Sequence, residues 1–189
     1  VFIKNLSMGK KGKVLTQRNI RFIAQQKVFF VATAAKTGTI NLSPKGLDSL
    51  RVLNPSTIVW LNLTGSGNET AAHLMQTPRI TLMMCAFEGA PQILRIYGNG
   101  ATYNPSHSLF QEYYSLFSPN VGARQIIEIK VEMVQTSCGF GVPLMDFKNE
   151  RTALNDWSNK LGAYEIETYQ KKKNVRSLDG FKTDISETS

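Results

Sequence analysis

Between Lys27 and Ser137 one strand-like segment follows another, with links that are mostly too short for the crossover helix a parallel sheet requires. Lys27–Ala35 is rich in β-formers, and Gly38 in the following link reads as a hairpin turn. Thr39–Lys45 sets Ile40 and Leu42 against polar neighbours. Thr57–Leu63 alternates with period two: Ile58, Trp60 and Asn62 on one face, Val59, Leu61 and Leu63 on the other. Arg79–Phe87 and Gln92–Tyr103 continue the series, and Gly98 and Gly100 in the second mark a bulge or a close backbone approach. Ala123–Ser137 sets Ile127, Ile129, Val131 and Met133 against Glu128, Lys130 and Glu132. Helical spacing is confined to Thr16–Gln26, Glu69–Gln76 (ended by Pro78), Asn104–Phe117 and residues 149–174. Such a chain is mainly β with helices, and closes best as an antiparallel β-barrel. It divides into an N-terminal segment and helix (1–26), a barrel domain (27–139) and a C-terminal helical appendage and tail (140–189). Residues 1–16 read as loosely ordered and the tail after Lys173 as mobile.

A chain of 189 residues, 42% hydrophobic and 19% charged, can bury one sizeable core. Its net charge of +8 favours an anionic partner. The dense basic runs, Lys10-Lys11 with Lys13 and Lys171–Lys173, read as solvated surface, and no aromatic-basic platform accompanies them, so nucleic acid is not expected. The two cysteines, Cys85 and Cys138, form neither a metal motif nor a disulfide framework. A reducing, cytoplasmic setting fits them, and Cys85 lies in an apolar run as a core thiol. No stretch of 18 apolar residues predicts a membrane span, and no signal-peptide pattern follows Val1. His73 and His107 stand alone, as surface or capping residues rather than metal ligands. No GxSxG elbow or framed pair of carboxylates supports hydrolysis.

Phosphate binding has better support. Thr64–Thr70 (TGSGNET) joins a strand to a helix; its glycines allow close backbone approach, and the first helical turn offers free N–H groups at a positive dipole end. Ser66, Asn68 and Thr70 add donors. The plainer alternative is that Asn68 simply caps the helix. Glu69 repels a phosphate unless it points outward. A second cluster, Ser43-Pro44-Lys45-Gly46 followed by Arg51-Val52-Leu53, supplies a hydroxyl and two cations that could neutralise a dianion.

In this order and spacing, these pieces resemble the pyridoxamine 5′-phosphate oxidase-like FMN-binding family. The resemblance runs from Val28 to Tyr103 and includes the SPKG turn, the R-V-L segment, the strand-loop-helix unit and Arg95-Ile96-Tyr97-Gly98. It implies a split β-barrel, FMN as cofactor, and a homodimer with flavin sites at its interface. The candidate flavin contacts are Ser43, Lys45, Arg51, Trp60, Asn62, Thr64, Ser66, Asn68, Thr70 and Arg95, with the phosphate between Ser43/Lys45/Arg51 and Asn68–Thr70. The true oxidases carry Arg-Lys where this helix starts Glu69-Thr70, and a basic C-terminal substrate segment where this chain has Asn174–Gly180. The resemblance therefore points to a related FMN-dependent oxidoreductase that turns over pyridoxamine 5′-phosphate poorly. A non-catalytic flavin binder, or a barrel with haem or deazaflavin instead, is the alternative that Glu69 favours.

Overall fold

The computed structural model describes residues 9–185. The strands are β1 (Lys10–Gly12), β2 (Phe29–Ala34), β3 (Ile40–Lys45), β4 (Leu50–Asn54), β5 (Thr57–Leu63), β6 (Arg79–Cys85), β7 (Ile93–Tyr103) and β8 (Ala123–Ser137). The helices are α1 (Gln17–Gln25), α2 (Glu69–Gln76), α3 (Ser108–Tyr114) and α4 (Ala153–Lys173), the last broken by a kink at Gly162. All paired strands are antiparallel, in the order β3-β2-β6-β7-β8-β5-β4, with β1 also on β8.

The two faces of β5 do what their alternation demands. Ile58 and Trp60 enter the principal core with Phe29, Val31, Leu82, Leu94, Ile96, Ile127 and Ile129. Val59 and Leu61 enter a second cluster, with Phe110 of α3, Phe117 and Ile126. A strand buried on both faces carries little polar sequence, and Asn62, one of its polar exceptions, points to the site described below.

β7 and β8 form the longest ladder, and its register shifts between Tyr97 and Gly98. There a Cβ on Gly98 would lie 2.1 Å from the Lys130 carbonyl oxygen, so both readings of this glycine hold: a bulge and a close backbone approach. Gly100 sits under the Leu74 side chain of α2.

Several expectations need correction. Residues 1–8 fall outside the described residues, but the rest of the supposedly loose N-terminal segment is structured. Lys10–Gly12 pairs with Val134–Thr136, and Leu15 is buried. The Thr16 hydroxyl accepts from the Asn19 N–H while the Asn19 side chain accepts from the Thr16 N–H, a capping box that starts α1. His107 caps α3 as anticipated, its Nδ1 accepting from the Leu109 N–H. His73 is not a surface residue; it is fully buried in α2, with Nδ1 3.2 Å from the Thr33 hydroxyl. The tail after Lys173 is held too as far as Ile185, residues 186–189 lying outside the described residues. The Asp179 carboxylate accepts from the Thr39 N–H and hydroxyl, and the Thr183 hydroxyl donates to the Asn174 carbonyl. Among the described residues no helix is long and apolar enough to cross a membrane.

Candidate functional site

The period-two pattern of β3 builds one wall of a cleft. Asn41, Ser43 and Lys45 face it, while Ile40 and Leu42 face outward and are exposed. The 65–70 loop and the start of α2 form the opposite wall, and Asn62 and Arg124 form the floor. The volume is about 260 Å³. A larger cleft of about 670 Å³ adjoins it, sharing Lys45, Asn62, Leu63 and Gly65, and runs between the 44–49 turn and the chain leading into α4.

Two cations meet here. Lys45 is half-buried, with its Nζ 5.2 Å from the centre of the Trp60 ring. Arg124 is 4% exposed; its guanidinium donates to the Gly67 carbonyl (3.0 Å), the Asn174 Oδ1 (2.6 Å) and the Asn62 Oδ1 (3.2 Å). Every one of these acceptors is neutral. Among the described residues no carboxylate lies within 4.0 Å of either cation, and the buried Nε of Arg124 has no partner. Burial, then repulsion from Arg124, pushes the Lys45 ammonium down to about 8. Burial also lowers Arg124 to about 10, with Asp184 acting in the opposite direction. Buried charges are normally paired. Two unpaired cations on one cleft constitute a site that an anion would complete.

The helix terminus contributes as well. Asn68 makes no capping hydrogen bond. Its side chain instead accepts from Asn62 (3.3 Å) and donates to the Asn174 carbonyl (3.4 Å), which overturns the capping alternative and leaves the first-turn N–H groups of α2 without a side-chain cap. The Thr70 hydroxyl accepts from the Asn41 amide at 3.1 Å. Ser66 is exposed at the rim. Glu69 does line the cleft, but its two carboxylate oxygens each accept from the Leu178 N–H at 3.1 Å, which draws the carboxylate toward the C-terminal segment.

A family model, "Pyridoxamine 5′-phosphate oxidase", matches residues 15–138, which include every residue lining the smaller cleft and all of the larger one except residues 149–154. The chain belongs to the pyridoxamine 5′-phosphate oxidase family. It is 37% identical over 174 residues to the pyridoxamine 5′-phosphate oxidase family protein ustO of Aspergillus flavus, an alignment covering 82% of this chain and 70% of that protein. In fold it is similar to a variant of HupZ from Group A Streptococcus (TM-score 0.51, 18% identity, 63% of this chain and 96% of that one). It is also similar to a proposed pyridoxamine 5′-phosphate oxidase of Lactobacillus delbrueckii (TM-score 0.50, 15% identity, 65% and 98%). The chain has the family's split-barrel fold.

Of the contacts inferred from the family pattern, Ser43, Lys45, Asn62, Ser66, Asn68 and Thr70 come together around the smaller cleft, and Trp60 and Thr64 border the larger. The Thr64 hydroxyl is already engaged, donating to the Gly122 carbonyl and accepting from the Gln170 amide (both 2.8 Å), so it anchors the loop to α4 rather than offering a ligand bond. Arg95 lines neither cleft; it donates to the Ser137 hydroxyl. Arg51 lines neither as well. It forms a bidentate pair with Asp48 (2.6 and 2.7 Å), lies over the Phe117 ring and donates to the Leu116 carbonyl. Arg124, which no sequence motif singles out, lines the smaller cleft where Arg51 does not. Arg51→Ala is therefore expected to change affinity for a phosphate ligand less than about threefold, since an exposed pair contributes only about 0–1 kcal/mol and little of that reaches the cleft. Fluorescence titration of FMN against the variant checks this.

Proposed function

We propose that the chain binds FMN with the phosphate in the smaller cleft and acts as a flavin-dependent oxidoreductase. The observation that carries the reading is the pair of unpaired cations, Lys45 and Arg124, facing the uncapped start of α2. A phosphate monoester carries nearly two negative charges at neutral pH, and the two cations match it. Ser43, Ser66 and the first N–H groups of α2 supply hydrogen bonds of the kind an anion takes at a helix start. The smaller cleft is small for a whole mononucleotide, and the adjoining one, bordered by Pro44, Leu47 and Leu63, extends it with apolar surface. Bound there, the flavin would supply the electron chemistry, and the protein's part is binding, orientation and tuning of the local charge. The physiological substrate is a small redox molecule, and pyridoxamine 5′-phosphate is not the expected one.

The purified protein should take up FMN and show flavin absorbance that survives desalting. Absence of any spectral or fluorescence change on FMN addition would refute the assignment. Flavin binding without catalysis remains the second reading, favoured by Glu69 in the cleft wall. Rapid reduction of bound FMN by a nicotinamide donor, with reoxidation by an acceptor, separates the two.

Affinity should depend on pH. With Lys45 titrating at about 8 in the ligand-free protein, the ammonium is present below that value and lost above it, so FMN binding weakens as pH rises through and beyond 8. The groups facing it are Arg124 and Glu69 in its own cleft, and Lys27, Glu150 and Arg151 in the adjoining one. A titration series from pH 6.5 to 9.5 should show the decline, and Lys45→Arg should flatten it.

The proposed assembly is a homodimer. Ile40 (77% exposed) and Leu42 (64%) stand on the outer strand of the sheet, an edge that proteins rarely leave apolar and open. Light scattering at micromolar concentration should give twice the chain mass of 21.1 kDa.

A further inference from the structure

The anion cleft depends on a residue from outside the matched family region. Asn174, the first residue after α4, is fully buried. Its Oδ1 accepts from the Arg124 guanidinium at 2.6 Å, the shortest bond that cation makes, and its Nδ2 donates to the Gly65 carbonyl at 3.1 Å. Its own carbonyl accepts from the Asn68 amide and the Thr183 hydroxyl. One side chain thus ties the cation on the cleft floor to the loop that forms the cleft wall.

The chemical identity of that side chain matters. An aspartate at 174 could accept from Arg124 equally well, but it would form a buried ion pair and use the guanidinium charge internally. An amide orients the fork without adding a second carboxylate to Asp184, whose charge acts on Arg124 from beyond ion-pair distance. We propose that Asn174 is a positioning residue of the anion site, holding Arg124 in place through a neutral acceptor so that its charge remains available to a bound phosphate. The inference rests on the phosphate reading above and adds to it a determinant in the C-terminal segment.

The test compares wild type, Asn174→Ala and Asn174→Asp, in the full chain. Two probes are used, FMN by fluorescence titration and inorganic phosphate by its effect on thermal unfolding. Asn174→Asp is expected to bind FMN at least tenfold more weakly than wild type at pH 7.5, and to regain affinity relative to wild type at the same pH as the solution is acidified through the carboxylate range. Protonation there removes the competing charge and gives Gly65 a donor again. Asn174→Ala should also bind more weakly, but with no such recovery, because nothing at 174 titrates. A loss that arose only from damaged packing would not reverse with pH. Wild-type affinity in Asn174→Asp at pH 7.5, or a loss that acidification leaves unchanged, would overturn the proposal. If wild type responds to phosphate but not to FMN, the flavin reading alone fails and the variants are compared with phosphate. If wild type responds to neither, both inferences fall.

Discussion

Arg124→Met should weaken FMN binding by at least about a hundredfold. The guanidinium is the most deeply buried cation at the cleft, and it has N–H groups left over after serving three neutral acceptors. A charged hydrogen bond contributes roughly 1.5–3 kcal/mol, and two to a phosphate amount to a factor of about a hundred or more. Methionine fills much of the same volume without charge. The substitution also strands the acceptor oxygens of Asn62, Gly67 and Asn174, so the melting temperature should fall as well, and affinity must be measured well below it. Arg124→Lys separates the contributions: it keeps the charge, loses the fork and should bind between the two. Wild-type affinity in Arg124→Met would place the phosphate elsewhere.

Why Arg124 was not visible in the sequence is a matter of geometry. β5 pairs Asn62 with Gln125 and Leu63 with Ala123, so Arg124 is the extra residue of a β-bulge. A bulge re-aims side chains against the local alternation, and nothing in Ala123–Lys130 announces where it falls. The contact also joins residues about sixty positions apart. What was legible was local. Ile40 and Leu42 alternate with polar neighbours, the SPKG turn supplies Ser43 and Lys45, and the glycines before Glu69 locate the helix start.

Arg51 is the opposite case, pairing with Asp48 and lining neither cleft. It has the right chemistry for a phosphate, but Asp48 stands three residues earlier and pairs with it across the turn, with the Asp48 carboxyl held below its usual range by that bond. A cation with a carboxylate so near in sequence is a weaker candidate than one without, and that test was available. The C-terminal segment was misread for a different reason. Asn174–Asp184 is polar and lacks periodicity, which is also how a mobile tail reads. Its order comes from bonds to Gly65, Glu69, Thr39 and Arg124, all distant in the chain.

The largest effect on stability is expected from Gly98→Ala. The new methyl would lie 2.1 Å from the Lys130 carbonyl oxygen and 3.0 Å from its carbon, and both are backbone atoms that cannot rotate aside. Relief requires separating β7 from β8 at the centre of the sheet, where Ile96, Ile129 and Val131 contribute to the principal core. Loss of packing and of ladder bonds together places the cost among the exceptional substitutions, above about 4 kcal/mol, a large part of the stability of an ordinary domain. Gly141→Ala is the control: a Cβ there meets nothing within 4 Å, so it should stay within about 0.5 kcal/mol of wild type. Urea unfolding of the two variants should show the first insoluble or unfolded at low denaturant and the second unchanged. Because β8 also carries Arg124, Gly98→Ala should lose FMN binding in proportion to the unfolded fraction. A Gly98→Ala protein that unfolds at the wild-type midpoint would mean that β7 and β8 do not approach this closely.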